Sequence, residues 1–255
     1  MHMKKTGKLI IAVGAFLITD MQANAQTFGD LLNKGKTIVN GGSTSTNGSS
    51  LSNISNSEAV SALRQALEIA TKNASGKLNT VNGFFGNQLI KIVMPPEARK
   101  VESALRSVGM GKQVDQAILA MNRAAEDAAG KAVPIFVNAI TSMTIQDGIS
   151  IVRGGQGAAT NYLKTKTTQS LTDAFRPVIE NSLRKVDATK YWTQIFTLYN
   201  RLPTTTNKIN PDLTAYVTER ALNGMFVTIA DEENKIRTNP ASRVTDLLKK
   251  VFGAR

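Results

Sequence analysis

The chemistry open to this chain is limited first by what its 255 residues leave out. There is no cysteine, and the single histidine, His2, lies at the extreme N terminus. A folded part without either residue has no cysteine nucleophile, no serine–histidine–aspartate triad, no disulfide and no cysteine/histidine zinc site. Carboxylates, hydroxyls, amides and cations remain for binding or catalysis, and we predict neither a cofactor nor a metal.

One candidate group combines an amide, a guanidinium and a carboxylate in a stretch with helical periodicity. Asn122 and Glu126 are four residues apart, and Arg123 and Glu126 are three apart, so the three side chains share one helix face. Such a face could grip a ligand. The alternative is an intrahelical ion pair, which contributes only about 0.2–0.5 kcal/mol to a helix.

A second candidate is a glycine-rich turn that leads into a helix. Residues 154–157 read Gly-Gly-Gln-Gly, with Arg153 before them and Thr160 and Lys164 after them. The free N–H groups of a helix start attract anions, and nearby cations would add full charges. The spacing does not match a dinucleotide-binding fingerprint, because a helix precedes it and Thr160 takes the sixth position. The alternative is a helix C-cap followed by a tight interhelical turn.

If these two segments adjoin, they predict one site for an anionic ligand. Glu126 would orient Arg123, while Asn122 and Thr160 would supply neutral hydrogen bonds. The predicted ligand-binding residues are Asn122, Arg123, Glu126, Arg153, Gly154, Gly155, Gly157, Thr160 and Lys164.

Three further features have simpler structural explanations. The acidic run 231–233 offers carboxylates to a cation, but consecutive helical residues point in different directions, so we predict a solvated face. The aromatic residues of 191–199 have helical spacing and are predicted to lie in the core. Phe84 and Phe85, between two glycines, are predicted either to plug the core or to guard a pocket.

The N-terminal segment has the pattern of a secretory signal peptide. Three lysines precede an uncharged apolar run at 9–19, and Ala-Asn-Ala at 23–25 is a pattern that signal peptidase reads. The run is shorter than the roughly 20 residues that span a bilayer. We therefore predict a signal peptide at 1–25, no transmembrane segment, and a periplasmic or secreted mature protein. Residues 26–56 are predicted to be a short amphipathic piece and a flexible tether rich in Gly, Ser, Thr and Asn.

Several local signals predict where helices begin and end. Capping boxes occur at Ser55 with Glu58 and at Thr144 with Asp147, where hydroxyl and carboxylate satisfy free N–H groups. Asn-Pro pairs at positions 210 and 239 each place a cap residue before a proline in the first turn. Pro177, inside a long periodic segment, predicts a break or a kink.

Apolar residues recur with a helical period through most of 57–253, which predicts an all-α fold. The stretch 89–94 is short and partly alternating, so we expect one extended piece there and no sheet. About eight or nine helices should pack as a single irregular domain at 57–253. The first three predicted core stripes are Leu63, Leu67, Ala70 and Ala74; Val101, Leu105 and Val108; and Val114, Ile118, Met121, Ala125 and Ala128.

Six separated segments together resemble the bacterial exported proteins grouped as domain of unknown function family 4197. The resemblance covers roughly 57–253, and its segments occur in the expected order. It implies a helical envelope protein with a signal peptide, and it attributes no activity. The long tether is the main departure from a typical member. The segments are 58–73, 82–87, 121–126, 154–160, 175–177 and 245–253.

Charge and export limit the class of function. The chain has 31 Lys and Arg against 19 Asp and Glu, a net charge of +12 that becomes +10 once 1–25 are removed. We expect a non-enzymatic binder of an anionic small molecule or an envelope component, with peripheral membrane contact as a further option. No nucleic acid partner is expected, because long Lys/Arg clusters are missing. The alternatives are a structural or assembly protein of the envelope, or an enzyme using Glu126 and Asp147 as acid and base.

Overall fold

The computed structural model describes residues 55–201 and 208–253, where the chain forms nine α-helices and no strand. The prediction of an all-α fold with about eight or nine helices is confirmed. The predicted signal peptide and nearly all of the tether lie outside the described residues. The helices are α1 (Asn56–Leu78), α2 (Arg99–Ser107), α3 (Gly111–Ala129), α4 (Ala132–Thr141), α5 (Ile145–Arg153), α6 (Ala158–Arg184), α7 (Ala188–Asn200), α8 (Leu213–Thr238) and α9 (Asp246–Gly253).

Both predicted capping boxes are confirmed, at the starts of α1 and α5. The Ser55 N–H donates to Glu58 Oε2 at 2.9 Å, and the Glu58 N–H donates back to Ser55 Oγ at 3.2 Å. Thr144 and Asp147 make the same reciprocal pair, at 3.0 Å in both directions. Side-chain and backbone hydrogen bonds from Thr144 hold the pKa of Asp147 below its usual value, so this cap is charged at neutral pH.

The start of α8 differs from the prediction, which placed it at the Asn-Pro pair of position 210. Asn210 instead accepts the N–H of Asp212 at 2.9 Å and forms a turn before the helix. Asp212 is the cap, and its Oδ1 accepts the N–H of Ala215 at 2.9 Å. Burial raises the pKa of Asp212, but this hydrogen bond and an ion pair with Arg176 at 2.5 Å outweigh burial and lower the pKa.

Two further predictions about helix boundaries can be compared with the structure: Asn239 is a cap, as predicted, and no break occurs at Pro177. Asn239 caps only the short 3-10 turn Pro240–Ser242, and the last helix begins later, at Asp246. Pro177 lies inside α6, which continues unbroken to Arg184. Phe175 and Ile179, on either side of the proline, are fully buried. Core packing on both turns therefore keeps the helix intact where the proline removes one backbone hydrogen bond.

Helices α6 and α8 form the centre of the fold. α6 packs on α3, α4 and α8, and α8 also packs on α1 and α3. The predicted core stripe of α1 is buried, as are most members of the α3 stripe. In the α2 stripe, Val101 is partly buried against the core, whereas Val108, which follows the helix, is 71% exposed. Fully buried side chains of the two central helices include Leu163, Leu171, Phe175, Ile179, Val217, Met225 and Ile229.

The segment that links α1 to α2 is irregular, yet it contributes to the core. It forms turns followed by a stretch at 91–95 that is neither helix nor strand, and, as expected, this segment joins no sheet among the described residues. Phe84 is fully buried, and its ring lies against α8. A Cβ added at Gly224 of α8 would stand 2.6 Å from Phe84 Cε1. Only a glycine allows this approach, because any side chain there would overlap the ring.

None of the described helices is, by itself, both long and apolar enough to cross a bilayer. Helices α4 and α5 taken together would be long and apolar enough to span a bilayer, but the angle between them is 103°. Both contribute to the core, through Phe136, Ile140 and Ile151.

Candidate functional site

The predicted face of α3 is used to hold the irregular segment in place. Asn122 is fully buried, and its Oδ1 accepts the N–H of Ile92 at 2.9 Å. Its Nδ2 donates to the carbonyls of Ile92 and Ile118, both at 2.7 Å. The amide therefore pairs with both backbone groups of Ile92, as a neighbouring strand would.

Glu126 performs the same task one turn later. It is 4% exposed, and its Oε1 accepts the N–H groups of Phe84 and Phe85, each at 3.1 Å. Its Oε2 pairs with Arg123, whose Nη2 donates to Asn82 Oδ1 at 2.8 Å. The predicted orientation of Arg123 by Glu126 is present, but both groups are bound to the protein's own loop.

The predicted anion site at the start of α6 is occupied by a carboxylate of the chain itself. Glu233 Oε2 accepts the N–H of Thr160 at 3.0 Å and its hydroxyl at 2.7 Å. Glu233 Oε1 pairs with Arg237 at 2.9 Å. The prediction of a solvated face at 231–233 is therefore wrong for Glu233, which is 5% exposed. The attraction of a helix N-terminus for an anion is satisfied inside the fold.

The glycines of this turn provide its backbone conformation. Gly154 is the C-cap of α5, as the alternative interpretation expected. Gly155 and Gly157 have φ values of +74° and +79°, the left-handed region that favours glycine. Arg153 and Lys164, the two predicted cations of the turn, are exposed.

The structure does not bring the α3 face and the glycine turn together. Ser182 Oγ donates to Asp127 Oδ2 at 2.6 Å, so it is the far end of α6 that lies beside α3. At about 1.5 Å per residue, Gly157 lies on the order of 35 Å from Ser182 along the helix. Arg123 is one turn from Asp127, which leaves on the order of 20 Å or more between the two predicted groups. They form two separate clusters.

A groove lies between the extended stretch of the irregular segment and one face of α8. Its volume is about 250 Å³. One wall comes from residues 89–96 with Arg99, and the other comes from α8 positions that repeat every three or four residues. The residues of the α8 wall are Tyr216, Arg220, Asn223, Gly224 and Val227.

Three cations line this groove: Lys91, Arg99 and Arg220. None of the salt bridges among the described residues involves them. Lys91 Nζ lies 4.0 Å from the centroid of the Phe85 ring, and Arg220 Cζ lies 5.3 Å from that of Tyr216. The aromatic faces steady the two cations without neutralising them. The groove therefore carries uncompensated positive charge against apolar walls.

Tyr216 fixes the two walls to each other. Its hydroxyl donates to the carbonyl of Val93 at 2.8 Å, and its ring stacks on Trp192 with centroids 5.9 Å apart. Burial raises the pKa of the Tyr216 hydroxyl, and Arg220 opposes this only in part. Tyr216 therefore stays protonated and remains a hydrogen-bond donor at neutral pH.

Apolar side chains are exposed at the mouth of the groove. Leu89 is 87% exposed, and Val93 and Val227 are each 49% exposed. All three also line the groove, so its rim is apolar on both walls. Glu97 and Glu219 lie close enough to act on Tyr216 electrostatically, but neither lines the groove.

A protein family matches nearly the whole described region. The family profile described as "Protein of unknown function (DUF4197)" matches residues 53–253, a range that includes all nine described helices. The chain belongs to this family. No match was found among curated proteins or among solved structures. Two of the segments that carried the resemblance, 82–87 and 121–126, are those that Glu126 and Arg123 join.

The groove was not predicted from the sequence, although two sequence features correspond to parts of it. Phe84 and Phe85 were predicted either to plug the core or to guard a pocket. In the structure Phe84 lies in the core, while Phe85 is half-buried beneath Lys91. The spacing of Tyr216 and Arg220 on a predicted helix places a ring and a cation on one face. Nothing in the local pattern indicated that 89–96 would lie opposite them.

Proposed function

We propose that this protein is a non-enzymatic binding protein that takes an anionic group carrying an apolar moiety into the groove between 89–96 and α8. The observation that carries the proposal is the convergence of Lys91, Arg99 and Arg220 on a groove with apolar walls. Guanidinium groups can bind phosphate or carboxylate through two parallel hydrogen bonds. Asn223 adds a neutral donor and acceptor on the same face.

The wall of the groove is held before any ligand arrives, which favours binding. Asn122 and Tyr216 fix the backbone of 92–93 from two sides. Glu126 fixes the preceding turn through Phe84 and Phe85. A wall that is already ordered loses little conformational entropy on binding, so more of the contact energy appears as affinity.

The residues at hand support binding rather than catalysis. The described lining of the groove includes no carboxylate, and its one hydroxyl is that of Tyr216, which is engaged with Val93. The acid and base considered from the sequence have other tasks, because Glu126 accepts backbone N–H groups and Asp147 caps α5. Neither carboxylate lines the groove, and a general acid or base must lie within reach of the bound substrate.

Binding is tested with hexyl phosphate, with hexanol as the uncharged analogue, by thermal shift in a phosphate-free buffer. At ten times its Kd a ligand stabilises by about 1.4 kcal/mol, which raises Tm by about 3–6 °C for a domain of this size. Arg220→Gln should weaken binding about tenfold or more, because it removes a charge-assisted contact.

Lys164→Gln is the matched control, since it removes one exposed cation at the originally predicted turn. It should leave binding unchanged. An equal loss in both variants would mean that the net positive charge, rather than the groove, attracts the ligand. A Tm that hexyl phosphate does not move at all would contradict the proposal.

We also propose that the protein acts outside the cytoplasm. The support is the basic start, apolar run and Ala-Asn-Ala of residues 1–25. Intact-mass analysis of the exported protein should give a chain that begins at Gln26. A mass that retains residues 1–25 in the envelope fraction would contradict this prediction.

A further inference from the structure

We infer that the groove takes the phosphate headgroup of an anionic phospholipid while the lipid remains in its bilayer. This inference rests on the proposed function and names the source of the anion. It assigns the exposed apolar rim to the hydrocarbon edge of the membrane and the three cations to the headgroup layer. The protein would then dock on a membrane surface rather than extract a lipid from it.

The size of the groove favours a headgroup over a whole lipid. At about 250 Å³, it is smaller than the roughly 300–1,000 Å³ of pockets that enclose a whole drug-sized ligand. A phosphate with its neighbouring atoms fits such a volume. A long acyl chain does not, so the apolar part of the ligand must remain outside the groove.

The rim provides an apolar surface where that part of the ligand would lie. Leu89 is 87% exposed and is joined at the mouth by the half-exposed Val93 and Val227. These side chains line the same groove as the three cations. Apolar side chains beside basic ones are the combination by which peripheral proteins lie at a membrane interface.

Charge on a larger scale acts in the same direction. Without residues 1–25 the chain has a net charge of +10, and anionic leaflets attract basic segments within a Debye length of the surface. Charge alone would hold the protein in no particular orientation. The placement of Leu89 beside Lys91 and Arg99 adds the second, short-range contact that selects this face.

The test is sedimentation with vesicles of phosphatidylglycerol and phosphatidylcholine, compared with vesicles of phosphatidylcholine alone. The protein is used as it is exported, and all variants share the same N terminus, so a contribution of residues 26–54 cancels in the comparison. We expect binding only to the anionic vesicles. Leu89→Ser and Arg220→Gln should each weaken it about tenfold or more.

Val244→Ser is the matched control for Leu89→Ser, because Val244 is 64% exposed and does not line the groove. It should bind the vesicles as the unaltered protein does. Both positions are exposed, and circular dichroism melting is expected to show that both variants fold.

The two experiments separate the inference from the proposed function. Hexyl phosphate binding that depends on Arg220, together with no vesicle binding, would overturn the inference and leave the function standing. Equal losses in Leu89→Ser and Val244→Ser, or equal binding to uncharged vesicles, would overturn the inference as well. A protein that bound neither hexyl phosphate nor anionic vesicles would overturn both proposals.

Discussion

Replacing Gly224 with alanine tests whether the close approach of Phe84 to α8 positions the groove. The added Cβ would stand 2.6 Å from Phe84 Cε1 and 3.3 Å from Ile90 Cβ. Real carbon contacts begin near 3.5 Å, so the ring or the helix must move by roughly 1 Å. Phe84 is fully buried, which leaves its ring no open space to enter.

The expected magnitude follows from two opposing effects. Overpacking a close-packed core costs about 1–3 kcal/mol, while replacing glycine with alanine in a helix returns about 0.5–1 kcal/mol. Gly224→Ala should therefore lower the free energy of unfolding by about 1–2 kcal/mol and Tm by about 2–8 °C. Because Ile90 and Gly224 both line the groove, affinity for hexyl phosphate should fall too.

Gly76→Ala is the matched control, because Gly76 lies in α1 and a Cβ there would have nothing within 4 Å. It should stabilise the protein by about 0.5–1 kcal/mol through helix propensity alone. Urea unfolding of both variants gives the comparison. If Gly224→Ala were as stable as Gly76→Ala, the packing of Phe84 on α8 would not be as described.

Three further predictions concern stability. Leu248→Ala should lower the free energy of unfolding in urea by about 2–5 kcal/mol, because Leu248 is fully buried. The same substitution at Leu247, which is partly buried, should lower it by less. Equal losses would contradict the assigned face of α9. Glu126→Ala should cost about 3 kcal/mol or more, since it leaves two backbone N–H groups without an acceptor; Glu180→Ala, which removes an exposed pair, should cost at most about 1 kcal/mol, and similar losses would contradict the role of Glu126. The lowered pKa of Asp212 contributes stability that is present above pH about 4 and is lost as pH falls through the folded-state pKa. The advantage of the unaltered protein over Asp212→Asn should thus shrink as the pH falls below about 4, and a difference that stayed constant with falling pH would contradict the lowered pKa of Asp212.

The helices could be predicted because most of their signals are local. A capping box such as Ser55 with Glu58 lies within four residues, and a core stripe repeats within one element. The start of α8 was missed because Asn210 and Asp212 both accept backbone N–H groups, and the sequence does not show which one directs the helix. The exposure of Val108 could not be predicted, because the periodicity of a stripe does not show whether a neighbouring element covers all of it.

The candidate site could be predicted much less well, because its parts are distant in the chain. Lys91 and Arg220 come from segments more than 100 residues apart, and they are brought together by the packing of Phe84 on α8 and by the hydrogen bond from Tyr216 to Val93. The carboxylate at the start of α6 also comes from a distant segment, since Glu233 reaches Thr160 from a helix 73 residues further along the chain. The sequence indicated a site for an anion there, but not that the anion belongs to the protein.

The polar residues of α3 are better explained by the hydrogen-bond partners that an irregular segment needs than by a ligand. Non-helical backbone inside a helical core leaves N–H and C=O groups that must find partners. Here Glu126 accepts the two N–H groups of Phe84 and Phe85, and Asn122 takes both backbone groups of Ile92. A ligand at these atoms would have to displace bonds that hold the loop in place.

The cations of the groove do not hold the loop backbone in place, and this difference from the α3 residues can be measured. A loss of hexyl phosphate binding caused by Glu126→Ala should come with a loss of stability, because the same bonds hold the wall and the core. Arg220→Gln should reduce binding while the free energy of unfolding stays nearly constant, since Arg220 is exposed and takes part in no described salt bridge. Binding that survived Arg220→Gln but failed in a fully stable Glu126 variant would place the ligand on α3 after all.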